Sequence, residues 1–344
     1  MRINSLENIK LPKKNDELFR KVDFSSLFST DFTNVKSYEL DIVGLETTED
    51  TNDYSNPLFD ITRNFEKNQI VLKISSNIPE PICLIYKLNE NDTFYTNSIK
   101  IEVQKGIKAS LIEVFTNSSL NSAFIVNRDF DIEDDADFEY AKIQHINTSN
   151  SFLYNSYIKQ GNNSKARFTN FEFGDGLIIN SYENSINHQD IYYNLNGLVK
   201  SNSNANTTNL ITTTHNNESS TSNINYKHTL KDESKAVFKA KSIVNKEALY
   251  SKAYQNSNTI LLSNEATIFA QPHLEILIDE LDASHGATTG TLNKDELLYL
   301  QSRGIPKVKA YDMLLKAFES NIYDSIEDEL IKEFIDNYKR EKYV

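Results

Sequence analysis

The fold of this chain is decided by an alternating stretch, Lys108-Ala109-Ser110-Leu111-Ile112-Glu113-Val114-Phe115. Alternation with a period of two places one side chain inward and the next outward, which is the behaviour of a β-strand. Similar runs recur between about residues 90 and 290, for example Phe138-Glu139-Tyr140 and Phe168-Thr169-Asn170-Phe171. Clusters of Asn, Ser, Asp and Thr separate the runs and favour turns, because their side chains bond to nearby backbone. The sequence therefore predicts a long all-β region.

A weak internal repeat in this region distinguishes between two all-β folds. A polar turn, an Ala and then alternating apolar residues recur at Ala109, Ala136, Ala166, Ala236 and Ala266. A small corner residue, mostly at intervals of about thirty residues, suits the stacked coils of a β-helix better than hairpins. The hairpin signal Asn196-Gly197 stands isolated. We therefore expect a β-solenoid with Asn ladders between equivalent turns, and a β-sandwich is the alternative.

The residue pattern changes before and after this region, and these changes set the predicted domain boundaries. Residues 1–88 mix short helical signals with turns, residues 89–290 form the β-helix core, and residues 291–344 turn helical. One helix is predicted to start at Asn293 and the last one near Ser325. We expect these C-terminal helices to close the open end of the solenoid and to offer a docking surface.

Composition and charge exclude several classes of function. The net charge of -13 opposes nucleic-acid binding, which depends on clustered Lys and Arg. Only 9 of the 344 residues are Gly, and no Gly-rich phosphate loop occurs, so a nucleotide would bind to a partner. The first residues lack an apolar signal segment, and no stretch approaches the roughly 18 apolar residues of a membrane span. We expect a cytoplasmic protein with no nucleic-acid and no membrane partner.

The single thiol, Cys83, limits the cofactors that this chain could hold by itself. Iron–sulfur clusters and structural zinc sites use several Cys or His ligands, so the chain alone can enclose neither. Cys83 lies in the apolar run Ile82-Cys83-Leu84-Ile85-Tyr86, which favours a buried small hydrophobe. None of the six histidines has a metal-binding spacing. His285 is the candidate metal ligand, because its small neighbours leave an imidazole accessible.

A catalytic site has less support in the sequence. The acidic run at residues 129–135 could hold calcium, but alternation turns successive residues to opposite faces and no Gly interrupts the run. No Gly-x-Ser-x-Gly elbow occurs, so a nucleophilic triad has no anchor. A solvated turn is the favoured interpretation of the acidic run. We expect no catalytic and no cofactor-binding residue.

A longer pattern near the end of the chain resembles a known family. The pattern comprises His273-Leu274-Glu275-Ile276, Asp279, Ser284-His285-Gly286-Ala287-Thr288, Gly290, Leu298-Tyr299-Leu300-Gln301-Ser302-Arg303-Gly304-Ile305, Ala310, Leu314-Leu315 and Ala317-Phe318. Upstream it continues in order through Asp232 to Phe238, Ala248, Gln255-Asn256-Ser257-Asn258 and Leu261-Leu262-Ser263. This order of motifs resembles the SufB/SufD family of iron–sulfur cluster assembly proteins, strongly from about 230 to 320 and faintly between 90 and 230.

The resemblance implies a fold, partners and site residues. It implies a right-handed parallel β-helix, a C-terminal helical domain that docks the ABC-type ATPase SufC, and pairing with a SufB-like paralogue through the β-helices. Ser284-His285-Gly286 is similar to the SufD branch, in which the His lies at the SufB interface, where a nascent cluster is built with a SufB cysteine. The ATPase-docking region would include Tyr299, Arg303, Gly304 and Ile305. The implied role is a non-catalytic scaffold that shares a transient iron–sulfur cluster with its partner and binds no cofactor stably alone.

The chain departs from the family pattern at two points. Many relatives carry Cys two positions before the His, whereas this chain has Ala283, so a metal site that relies on that thiol is not implied. The region before residue 89 is also short for the family. Two other functions stay open: a β-helical carbohydrate-active protein using the carboxylates of residues 129–135, and a purely structural interaction subunit that differs from the scaffold only at His285.

Overall fold

The structure is a computed structural model that describes residues 1–5, 11–13, 16–38, 40 and 45–343. Its strands are β1 Asn34–Ser37, β2 Glu46–Glu49, β3 Asn68–Ile74, β4 Ile82–Leu88, β5 Thr93–Val103, β6 Lys108–Asn117, β7 Ala123–Ile132, β8 Asp137–Ile146, β9 Ser151–Gln160, β10 Lys165–Gly174, β11 Leu177–Ile186, β12 Tyr192–Ser201, β13 Asn206–His215, β14 Thr221–Leu230, β15 Lys235–Val244, β16 Lys252–Leu261, β17 Thr267–Ile276 and β18 Asp282–Gly290. A 3₁₀ turn spans Ile3–Ser5, and the helices are α1 Ser25–Ser29, α2 Leu58–Phe65, α3 Lys294–Ser302, α4 Lys307–Asp324 and α5 Glu329–Tyr343.

The strands form two sheets between which the chain alternates. Sheet A has the order β17-β15-β13-β11-β9-β7-β5-β3-β2, with β1 paired to β5, and sheet B has the order β18-β16-β14-β12-β10-β8-β6-β4. Each strand of a coil pairs in parallel with a strand of the next coil, as Asp137 pairs with Lys165 and Lys165 with Tyr192. Within the described residues, only β2 and β3 pair antiparallel. The predicted mainly-β solenoid with C-terminal helices is confirmed, and the sandwich of hairpins is excluded.

Alternation along each strand fills the interior of the solenoid. In β6, Leu111 and Phe115 face inward and are fully buried, whereas Ile112 and Val114 belong to a separate outer cluster. Inward residues of successive coils stack in register: Phe115 lies on Tyr86 with ring centroids 4.6 Å apart. The inner faces of the coils therefore form one continuous apolar core.

The turns between the strands follow the predicted polar and small-residue pattern. Left-handed backbone recurs at one corner of successive coils, at Asp135, Asn163, Asp190, Ser219 and Tyr250. Asn side chains bond between neighbouring turns, as Asn216 donates to Asn187 at 2.7 Å and Asn245 donates to Asn216. The five alanines of the predicted repeat are at most 4% exposed. The predicted Asn ladders are thus confirmed, whereas Ala109, Ala166 and Ala236 lie at the second position of a strand and not at the predicted corner.

The outer face of sheet A is covered by the N-terminal part of the chain, including residues 50–65, here named the strap. Asp129 of β7 accepts hydrogen bonds from Asn52 and Tyr54, both at 2.7 Å. Glu183 of β11 accepts hydrogen bonds from the backbone N–H and the hydroxyl of Ser55. Despite these bonds, burial raises the pKa of Asp129 to about 6. Two strand carboxylates therefore fasten the strap to the solenoid.

The outer face of sheet B is covered by the C-terminal helices, which corrects one expectation. Ile322, Ile326, Ile331 and Ile335 pack on the outward residues Ile112, Val114, Ala141, Ile143, Phe171, Phe173 and Leu198. The helices therefore lie on the flank of the solenoid, and the prediction that they close its open end is wrong. Covering the apolar outward residues of β6, β8, β10 and β12 removes them from water, which stabilises this arrangement.

The ends of the helices follow their capping residues. Asn293 caps α3 by accepting hydrogen bonds from two backbone N–H groups and donating to Glu296, as predicted. Gly304, with a φ of +84°, follows the end of this helix. The prediction that the last helix starts near Ser325 is wrong, because Ser325 ends α4 and Asp328 caps α5. No helix within the described residues has the length and apolar character needed to cross a membrane.

A buried ion pair lies between the two sheets inside the solenoid. Arg128 of β7 and Glu113 of β6 are both fully buried, with 2.9 Å between Arg128 Nε and Glu113 Oε1. Tyr86 and Tyr140 donate hydrogen bonds to the same carboxylate at 2.9 and 2.6 Å. Such a pair adds little net stability but is costly to break, because the remaining charge stays buried without a partner.

We expect the Arg128→Met variant to be less stable than the wild type by about 3–5 kcal/mol, because Glu113 would keep a buried and uncompensated charge. The double variant Arg128→Met with Glu113→Gln removes both charges and should recover most of this loss. Urea unfolding followed by circular dichroism measures both differences. Equal losses in the single and double variants would show that the ion pair is not the cause.

The raised pKa of Asp129 leads us to expect a pH dependence of folding stability. In the folded chain this carboxyl group holds its proton up to about pH 6, against a pKa of 3.8 for an unperturbed Asp. Its contribution to stability is complete below about pH 4 and is lost as the pH rises through about 6, by up to about 3 kcal/mol. The Asp129→Asn variant cannot ionise and should show a flatter stability profile between pH 4 and 7.

Urea midpoints measured across this pH range test the expectation for Asp129. The control is Asp131→Asn, a partly exposed residue two positions further along the same strand. It should keep the wild-type profile. If the stability of Asp129→Asn changed with pH as much as that of the wild type, Asp129 would not be the source of the pH dependence.

Candidate functional site at the open end of the solenoid

His285 lies on β18, the terminal strand of sheet B at the open end of the solenoid. It pairs in register with Gln255 of β16, which is 2% exposed and donates a hydrogen bond to Ser242 across the interior at 2.6 Å. Residues in register on parallel strands share a face, so His285 belongs to the inward column of the last coil. No further coil of the described chain covers it, and the imidazole is exposed.

Small residues flank His285 on its strand. Ala283 pairs with Ala253, and Ala287 lies two positions beyond His285 on the same face. These side chains are too short to shield the imidazole. The other histidine at this end, His273, differs: it pairs with Lys241 on β15, next to the inward Ser242, and therefore faces outward.

The described residues offer no ready-made metal site at this end. Among the residues that the structure describes, no three His, Cys, Asp or Glu side chains are grouped to hold a metal ion. Cys83 lies on β4, at the opposite end of sheet B, and its side chain is exposed. The prediction that Cys83 is buried is wrong, because Leu84, Tyr86 and Leu88 take the inward phase of β4 and Cys83 takes the outward phase.

The open end also presents two free strand edges, β17 in sheet A and β18 in sheet B. Each pairs with one neighbour in the described chain, so the backbone groups on its other side are available to another chain. The side chains of β18 are small, with the sequence Asp-Ala-Ser-His-Gly-Ala-Thr-Thr-Gly. Nearby, Ile276 and Leu277 expose 43% and 49% of their surface. This end is suited to β-strand addition by a partner.

The helix α3 and the turn after it carry the predicted docking residues. Tyr299 is 58% exposed, and the Arg303 guanidinium lies 5.2 Å from the centre of its ring. Leu298 and Val308 are more exposed still, whereas Ile305 is half-buried. No residue of α3 is buried, and the helix packs mainly on α4. Exposed apolar residues in such proximity are typical of a protein interaction surface.

The other histidines do not join a common site. His215 and His228 are fully buried, and burial lowers their pKa values to about 4 and about 3, so both imidazoles are neutral at pH 7. His215 bonds to Ser222 at 2.8 Å. His188 lies at an exposed turn between β11 and β12, and His145 is a half-buried residue of β8. These positions favour structural roles.

The acidic run of residues 129–135 is divided between the strap and a corner of the solenoid. Asp129 is buried beneath the strap, whereas Asp134 accepts a hydrogen bond from the backbone N–H of Asn162 in the next coil. The carboxylates therefore bond to neighbouring parts of the chain. This arrangement favours a structural turn over a calcium loop.

Comparison with known proteins identifies one family and several relatives. Residues 86–318 match the family described as SUF system FeS cluster assembly, SufBD core domain, and this span includes His285 and α3. The chain is 25% identical over 241 residues to the iron–sulfur cluster assembly protein SufD of Escherichia coli, covering 68% of this chain and 55% of that protein. It is 23% identical over 262 residues to the protein of the same name in Bacillus subtilis, covering 74% and 59%.

A third relative matches over a shorter region with higher identity. It is a SufBD family protein of Synechocystis, 40% identical over 91 residues, which covers 26% of this chain and 20% of that protein. The matched region thus spans little more than half the length of the SufD proteins of Escherichia coli and Bacillus subtilis.

Proposed function

This chain belongs to the SufBD family, and from that premise we propose that it is the SufD-type subunit of a scaffold for iron–sulfur cluster assembly. The observation that carries the proposal is the position of His285, exposed on the inward face of the last coil beside two free strand edges. A lone imidazole in this place becomes useful when a second protein pairs with the edges and supplies further ligands.

The partner at the open end would be a SufB-like paralogue. Strand addition would extend both sheets across the interface and pair the free backbone groups of β17 and β18. A second parallel solenoid suits this interface because its sheets have the same spacing of about 4.8 Å between strands. His285 would then face the last coil of the partner.

The growing cluster would be cargo shared between the two subunits. Neutral imidazole binds iron through a ring nitrogen, so His285 would supply one ligand, and a cysteine thiolate of the partner would supply another. The chain's own thiol cannot take this part, because Cys83 lies at the other end of sheet B. Assembly would therefore take place where the open ends meet.

A SufC-like ABC-type ATPase would dock on α3 and the turn after it. It would cover Leu298 and Tyr299 and contact Arg303, Gly304 and Ile305. The chain has no Gly-rich phosphate loop, so the ATPase would bind and hydrolyse the nucleotide. Closure of the ATPase would pull on the helices and reshape the shared interface. We place the whole assembly in the cytoplasm, with no catalytic residue in this chain.

The two alternative functions are weaker. A carbohydrate-active protein would need paired carboxylates in a groove, but Asp129 lies beneath the strap and Asp134 bonds to the next coil. A purely structural subunit would keep both docking surfaces and would need no imidazole at position 285. The first of the following experiments separates it from the scaffold.

We expect the His285→Ala variant to form the complex with the SufB-like and ATPase partners normally, and to assemble clusters at least about tenfold more slowly. A lost ligand weakens iron binding without disturbing the strand edges. The absorbance of the new cluster measures the rate, and gel filtration measures the complex. The matched control is His273→Ala, on β17 at the same end of the solenoid and facing outward, which should behave as wild type. Equal rates in both variants would favour the purely structural subunit.

We expect the variant Leu298→Ser with Tyr299→Ser to lose copurification with a coexpressed ABC-type ATPase, because it removes apolar surface from α3. The control is Leu330→Ser, another exposed leucine, on α5. Deleting residues 291–344 would be a poorer test, since it uncovers the outward residues of sheet B. Retention of the ATPase by the α3 variant would refute docking at this helix.

A further inference from the structure

The helical region divides in the middle of α4 into a free part and a held part. The free part, here named the arm, consists of residues 294–317, and Ala310 is the one buried residue within these bounds. The held part continues to Asp324 and packs against β12 and β14 of sheet B. A single continuous helix therefore runs from the exposed arm to the flank of the solenoid.

Three polar pairs fasten the held part to the solenoid, and together they are here named the joint. They are Lys200 with Glu319, Lys227 with Phe318, and Asn225 with Asn321. Lys227 donates a hydrogen bond to the backbone carbonyl of Phe318, and its ammonium lies 4.9 Å from the centre of that ring. Asn225 donates to the side chain of Asn321 at 2.9 Å.

Of the three contacts in the joint, the ion pair between Lys200 and Glu319 constrains the position of α4 the most. Lys200 Nζ lies 2.9 Å from Glu319 Oε1, and the Glu319 side chain is only 4% exposed whereas that of Lys200 is 41% exposed. A nearly buried carboxylate must keep its counter-charge, so α4 is held where Lys200 can reach it. Ile322, about one turn further along, is fully buried against sheet B. These contacts fix both the location and the rotation of the helix.

The strands beneath the joint are closely packed on their inner side. Tyr226, between two joint residues of β14, pairs with Gly197 of β12, where a Cβ atom would come within 2.1 Å of the Tyr226 ring. The Tyr226 hydroxyl accepts a hydrogen bond from Asn170 of β10 at 3.2 Å. Because the Tyr226 ring of β14 lies against the Gly197 backbone of β12 and its hydroxyl bonds to β10, displacement of one of these strands acts on the other two.

We propose that the joint sets the direction of the arm and carries its movement into the flank of the solenoid at β12 and β14. The other connection is the short segment 291–293 after β18, which has no buried residue and is too small to fix a direction. This inference rests on the proposed docking of an ATPase on the arm. It makes Lys200 and Glu319 positioning residues that act on the cluster site at a distance.

Spin labels on the intact chain test whether the joint directs the arm. One label is attached to the native, exposed Cys83, and the other to the site of Ser302→Cys at the end of α3. Double electron–electron resonance should give a narrow distribution of distances between the two labels when the joint is intact. Lys200→Met should broaden it, because the nearly buried Glu319 loses the one cation within ion-pair distance among the described residues, and the exchange Lys200→Glu with Glu319→Lys should narrow it again. An unchanged width in Lys200→Met would overturn the inference.

The matched control for the spin-label experiment is Asp312→Ala, which removes an exposed ion pair with Lys316 on the same helix. It should leave the distance distribution unchanged. Broadening as large as that of Lys200→Met would show that any loss of charge on α4 loosens the arm, and would refute a specific role of the joint.

The same variants are then compared in the complex with the ATPase and SufB-like partners. We expect Lys200→Met to bind the ATPase as wild type does and to slow cluster formation by at least about fivefold, the lower range of a typical coupling between sites. The charge exchange should restore the rate. If Lys200→Met bound the ATPase normally and formed clusters at the normal rate, the proposed role of the joint would be refuted. Absence of ATPase binding even in the wild type would refute the proposed function instead, while the spin labels still decide on the joint.

Discussion

The structure depends on backbone pairing between successive coils in register. Each coil is completed only by the coil that follows it, because the strands of a parallel solenoid have their hydrogen-bonding partners one turn away. At β17 and β18 no further coil of the described chain follows, so the interaction that builds the solenoid leaves its last strands incomplete. The same register that places Gln255 in the interior then places His285 on the exposed end of the inward column. The candidate site is thus a direct consequence of where the stacking stops.

The flanks of the solenoid are already occupied by the chain itself. The strap and the residues before it cover sheet A, and the helices α4 and α5 cover sheet B. Both coverings combine apolar packing with carboxylates: Asp129 and Glu183 hold the strap, and Glu319 holds α4. Because the central strands of both broad faces are covered, the open end and the arm are the exposed parts best suited to partners. This division would let the chain bind two different proteins without competition between them.

The sequence predicted the solenoid because alternation and small corner residues are local properties, visible in runs such as Leu111 to Phe115. It did not reveal the ion pair of Glu113, although this residue is in phase with the inward Leu111, because Arg128 lies on another strand. The helices were misplaced for a related reason. Ile112 and Val114 already showed an apolar outward face, but which segment covers it is decided by tertiary packing. The sequence motif and its small neighbours identify His285 as a candidate ligand. Its position at the end of the inward column is known only from the strand register in the structure.

The distribution of parts argues for a scaffold that works only when assembled. This chain offers a single inward-facing imidazole at its open end, its one thiol lies at the far end of sheet B, and its arm is largely exposed. One imidazole cannot retain iron alone, since clusters need several ligands. A site completed by a partner's thiolate would therefore hold iron only in the complex, and a joint between the arm and β12 and β14 would let an ATPase alter that site without touching it. Keeping the ligands on separate chains would prevent premature cluster formation, and it would require the register that the stacked coils supply.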